Sequence, residues 1–98
     1  MTYIAVATPS FDSIEQFDRV VGRIGRTPDG LEARYVGAAD DGRLRVVTVW
    51  ESRTHSQRFF TETLRPLLER ELGLRPDGGG VEVLGIEVAR EFVRTPVG

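Results

Sequence analysis

The chain contains no cysteine, which excludes a disulfide scaffold, a thiolate zinc site and a cysteine nucleophile. It contains no lysine either: all thirteen basic residues are arginine. GC-rich codon usage produces that bias, and arginine also suits bidentate contact with carboxylates. Asparagine is missing, and histidine and tryptophan occur once each. No apolar run approaches the ~20 residues needed to span a bilayer, and Met1-Thr2-Tyr3-Ile4 has no basic segment ahead of an apolar one. These features predict a cytoplasmic protein with no membrane contact. A net charge of −2 supplies no basic surface for a phosphate backbone, so nucleic acid is not an expected partner.

The 98 residues are 40% hydrophobic and 29% charged, which fits a single domain over residues 1–98 with a modest core; domains usually take ~100–150 residues. Thr2 to Ala7 is short, apolar and partly β-branched, and reads as a first strand. Asp12 with Glu15, and Ser13 with Gln16, are capping-box pairs that open a helix. Ile14, Phe17, Val21 and Ile24 define its apolar face, and Gly25 or Pro28-Asp29-Gly30 ends it. Leu31 to Ala39 alternates Leu31, Ala33 and Tyr35 against Glu32, Arg34 and Val36 and predicts a strand with one wetter face. Asp40-Asp41-Gly42 suits a hairpin turn.

In the returning strand, Leu44 to Glu51, Val46, Thr48 and Trp50 face one way and Val47 and Val49 the other, so both faces are apolar. Ser52 is the N-cap of a second helix with the stripe Phe60, Leu64, Leu68 and Leu72. Pro66 predicts a kink or a fresh helix start, and Gly73 a stop. Arg75 to Gly80 is a glycine-rich loop, Val81 to Val93 a last strand and Thr95 to Gly98 a tail. Gly78-Gly79-Gly80 is no phosphate loop, because a strand follows and no Lys-Ser/Thr does.

The order β-α-β-β-α-β predicts a ferredoxin-like α+β fold. Its four-stranded antiparallel sheet runs 4-1-3-2, with both helices on one face. The first and third strands would then expose a second apolar face of several hundred Å², which soluble monomers rarely tolerate. A homodimer that packs sheet against sheet resolves this.

The stretch Val46-Val47-Thr48-Val49-Trp50-Glu51-Ser52, followed by Phe59-Phe60, Leu64 and Pro66, resembles the antibiotic-biosynthesis-monooxygenase-like proteins of the dimeric α+β barrel superfamily. Pro28-Asp29-Gly30-Leu31, with Gly37 and Asp40-Asp41-Gly42, is similar to the same group. The resemblance implies a homodimer whose two sheets form a barrel, with a cavity between sheet and helices in each subunit. Some members of the group oxidise polyphenolic substrates with O₂ and no cofactor, others degrade haem, and many have no known activity. The chain departs from the catalytic members in lacking their substrate-orienting asparagine. It departs from the haem degraders in carrying Phe59 near their second tryptophan and Glu69 near their ligating histidine. Neither haem degradation nor any metal or cofactor is therefore expected. Ser56 stands where close relatives are expected to have an aromatic residue, and Arg34 where a histidine is frequent; both changes would enlarge or polarise the cavity.

Each candidate also has a plain structural reading. Trp50 either stacks a flat aromatic ligand or packs the core. His55 is a candidate general base, or a partly solvated residue in the first turn of the second helix. Arg34 either pairs with a surface carboxylate or clamps an anion. Tyr3 and Tyr35 either bond a ligand or fill a dimer seam, and Phe59 is either a ligand wall or core. No Ser-His-Asp order, paired-carboxylate set or metal motif is present. The expected function is a homodimeric barrel binding a small aromatic or apolar molecule at Trp50, Phe59, Tyr35 and Ser56. The alternatives are a cofactor-independent oxygenase, with His55 as base and Arg34 stabilising the substrate anion, and a non-catalytic interaction or stress-related protein.

Overall fold

The structure, a computed structural model, describes residues 2–9, 13–72 and 82–94. Strand β1 (Tyr3–Thr8) leads to helix α1 (Ile14–Ile24), strands β2 (Leu31–Ala38) and β3 (Leu44–Trp50), helix α2 (Arg53–Phe59), a π-helical turn (Phe60–Leu64), helix α3 (Arg65–Leu72) and strand β4 (Glu82–Glu87). The Asp12–Glu15 pair, the stop at Gly73, the 75–80 loop and the 95–98 tail lie outside the described residues.

The sheet is antiparallel throughout, in the order β2-β3-β1-β4, which is the predicted order read from its other edge. Tyr3 pairs with Trp50, Ala5 with Thr48 and Ala7 with Val46. Those side chains share the face that the helices cover, since successive residues of a strand alternate sides.

Local signals fix the helices. Ser13 caps α1 by accepting from the Gln16 N–H at 3.2 Å, and Gly25 ends it in the left-handed region, at φ +78°. The buried residues of α1 are Phe17 and Val20; Ile14, expected on the inner face, is 47% exposed, because the packing of α1 begins one turn later. Ser52 caps α2. A helix does start afresh beside Pro66, α3 beginning one residue earlier, at Arg65. The π turn precedes it, with the Arg65 N–H reaching back five residues to the Phe60 carbonyl. The wider turn relieves a proline ring that crowds the carbonyl four residues back.

Two strands depart from simple alternation. In β2, Leu31 pairs with Trp50 but Ala33 already pairs with Val49, so Glu32 is the extra residue of a β-bulge. Leu31, Arg34 and Val36 therefore share the helix side, and Ala33 and Tyr35 the other. The last strand ends at Glu87 rather than Val93. Val88 donates once more, to Thr2.

The core lies in two clusters. Phe17, Val20, Val46 and Leu67 join α1 and α3 to one end of the sheet. Tyr3, Ala5 and Trp50, with Leu31 and Phe59, join α2 to the other.

Candidate functional site

A cavity of about 300 Å³ lies between the two clusters, under the helices. Small residues make it: β1 presents Ala5 and Ala7 as a floor, where larger side chains would fill the space. Trp50 and Phe59 form one wall, their ring centroids 5.3 Å apart and tilted by 40°, a favourable aromatic arrangement. Phe17, Val20, Phe60 and Leu64 come from the helices.

Trp50 is 2% exposed. Its indole N–H donates to Thr48 Oγ1 at 2.8 Å, and the Thr48 hydroxyl in turn reaches the Ala5 carbonyl at 3.4 Å. The chain Trp50–Thr48–Ala5 holds the indole in one orientation and consumes its only donor. Trp50 thus offers a ligand its flat surface and no hydrogen bond. Thr48 was not among the sequence candidates, although its place two residues before Trp50, on the same side of a strand, was the available signal.

Pairing with Thr48 puts Arg34 on the helix side, which the bulge at Glu32 lets it share with Leu31, and there it lines the cavity from the edge strand together with Ser56, Gln57 and Thr61 from the helix. His55 does not line it. The imidazole packs against Gly30 and opens on a separate depression of about 320 Å³, with Arg26, Asp29, Arg58 and Glu62. Phe59 lies between, lining both. Ser52 Oγ accepts from the His55 backbone N–H at 3.3 Å and lies 2.8 Å from Nδ1. Its hydroxyl hydrogen is thus free to donate to Nδ1, which favours the Nε2–H tautomer. Glu51 Oε2 is 4.0 Å from Nε2.

The structure therefore brings Trp50, Phe59, Ser56 and Arg34 to one cavity and leaves His55 and Tyr35 out of it. Tyr35 is 64% exposed on the opposite side of the sheet. Tyr3 closes the α2 end of the site. Its hydroxyl lies over Gly85, where a Cβ would collide with it, and the Arg53 guanidinium sits 5.5 Å from its ring centroid. Arg53 is also 3.8 Å from Glu87. Among the described residues, no group of three or more His, Cys, Asp or Glu side chains is placed to hold a metal ion, and no helix is long and apolar enough to cross a membrane.

Neither a family model nor a curated protein matches the sequence. Solved structures do match the fold. A protein assigned to the antibiotic biosynthesis monooxygenases, from Chloroflexus aurantiacus J-10-fl, superposes with a TM-score of 0.62 at 8% identity, over 95% of this chain and 98% of that one. The cofactor-independent oxygenase SnoaB from Streptomyces nogalater gives 0.58 at 15% identity, over 95% and 96%.

The chain shares the ferredoxin-like α+β fold of these structures.

A third structure with this fold is the monooxygenase ActVA-Orf6 of Streptomyces coelicolor, solved with the ligand nanaomycin D. It gives a TM-score of 0.56 at 18% identity, over 96% of this chain and 92% of that one. At such identities the shared property is the fold itself, and the chemistry has to be argued from this chain's own residues.

Proposed function

We propose that the protein is a homodimer that binds a small, flat, largely apolar molecule in the cavity between sheet and helices. One observation carries this reading: the cavity is open although both core clusters are closed, and an aromatic pair walls it. Its volume, about 300 Å³, stands at the small end of ligand pockets, which run ~300–1,000 Å³. An interaction protein without a ligand has no use for alanines at the floor of its core, and the open cavity disfavours that alternative.

The dimer is supported by the outer side of the sheet, where Ile4, Val6, Val47, Val49, Leu84 and Ile86 share one face. Leu84 is 64% exposed in the single chain and Ile86 44%.

A cofactor-independent oxygenase is the second reading, favoured by the oxygenases with the same fold. Such a reaction needs a substrate anion, a dry site and a base. Arg34 meets the charge requirement, but among the described residues no histidine or carboxylate lines the cavity. A substrate that ionises on its own near neutral pH fits this site best.

The test is titration of the single tryptophan's fluorescence with 1,4-naphthoquinone, a flat quencher that finds no thiol or lysine amine on this chain. Saturable quenching by the wild type and its loss in Ala5→Leu, whose side chain fills the floor, is the expected result. Quenching that is linear and equal in both proteins overturns the reading. Oxygen uptake on a panel of polyphenols, with Ala5→Leu as control, decides for or against the oxygenase.

A further inference from the structure

The cavity carries a single formal charge. Among its lining residues only Arg34 is ionised at neutral pH; none is a carboxylate. Other arginines of the chain stand close to acids: Arg45 at 2.8 Å from Asp41, Arg65 at 3.7 Å from Glu69 and Arg53 at 3.8 Å from Glu87. Arg34 has no such partner among the described residues, and no hydrogen bond to the backbone. Its place is set by the β2–β3 register, which pairs it with Thr48 on the helix side of an edge strand. The guanidinium therefore stands at the open side of the cavity, with the alanine floor and the Trp50–Phe59 wall further in. The hydroxyls of Thr48 and Thr61 are committed to the Ala5 and Gln57 carbonyls. Arg34, with Ser56 and Gln57 nearby on the cavity wall, is left to receive a polar ligand atom.

We infer that the ligand is an amphipathic acid, its flat apolar body in the cavity and a carboxylate-type anion held by the Arg34 fork at the mouth. The inference rests on the cavity reading above. Two parallel N–H donors match two carboxylate oxygens. Because no wall residue is acidic, a cation is repelled and a neutral molecule gains nothing from the charge; the site thus selects by sign. Arg34 is exposed, so water screens the contact and the preference is modest, about tenfold.

Calorimetric titration with 2-naphthoate and with its uncharged isostere 2-naphthamide tests this. The wild type is expected to bind the acid about tenfold more tightly than the amide. Arg34→Gln should remove that preference by weakening the acid far more than the amide; Arg34→Lys, which keeps the charge and loses the fork, should retain part of it. Equal binding of acid and amide by the wild type, or a preference that survives in Arg34→Gln, overturns the inference and leaves the cavity reading standing. Binding of neither probe overturns both.

Discussion

The indole N–H of Trp50 is bonded to Thr48 Oγ1, two residues back on the same strand face, at 2.8 Å. The strand thus orients its own aromatic residue, with no help from the helices. Replacing Thr48 by valine keeps the shape and removes the acceptor. The cost of a buried donor left alone is ~1–3 kcal/mol. Thr48→Val is expected to lower the melting temperature by about 4–8 °C for each kcal/mol lost, whereas Thr48→Ser stays close to wild type. Equal melting temperatures for all three proteins would show that the bond contributes nothing.

Gly30 and His55 are similarly locked. Gly30 has φ +82° and a Cβ there would meet the imidazole, with His55 Cβ itself only 2.7 Å away. Gly30→Ala should therefore destabilise by ~1–3 kcal/mol through backbone strain and collision together. Adding His55→Ala removes the ring contacts, which are the closest, and leaves the Cβ contact and the backbone strain. The two substitutions should accordingly be non-additive in denaturant titrations; strict additivity would mean the ring moves aside freely.

The β2–β3 hairpin gives a dependence on acid. Asp41 lies below the ordinary aspartate range, chiefly because its carboxylate accepts from the Arg43 backbone N–H, with the Arg45 guanidinium adding to this. A lowered folded-state value means stabilisation that is present at neutral pH and disappears as pH falls through that value. In an NMR titration, the Asp41 midpoint should lie below the ordinary aspartate value. Arg45→Ala should move its midpoint upward; an unmoved midpoint would assign the whole effect to the backbone bond.

The outer sheet face should bury more than ~1,000 Å² in total between two copies. Light scattering of the wild type at micromolar concentration is expected to give twice 10.9 kDa, and Val49→Glu, which puts a charge at the middle of that face, the monomer mass with an unchanged circular dichroism spectrum. A wild type that scatters as a monomer removes the case for the dimer.

Element order and strand order were legible because each rests on local chemistry: Ser13 and Ser52 as caps, Gly25 as a stop, the period of two around Val46, Thr48 and Trp50. Trp50 as a wall residue followed from the same period. Arg34 was not legible in the same way, because alternation counted from Leu31 puts it on the opposite side, and only the extra residue Glu32 restores it to the helix side. The meeting of His55 with Arg34 failed for a three-dimensional reason. Both lie on the helix side of the sheet, but the Phe59 ring stands between their cavities.

The bulge at Glu32 and the π turn at Phe60–Leu64 flank the same cavity, one on the sheet wall and one on the helix wall, and each holds one residue more than a regular element needs. Deleting Glu32 would leave Leu31 opposite Trp50 and Ala33 opposite Val49 in plain alternation, with Arg34 still turned inward. Losing one residue from the π turn would restore an α-helix with its flanking turns in phase. In terms of descent, gain or loss of a single codon can recut either wall without re-registering the rest of the chain, and length differences among relatives should concentrate at these two points.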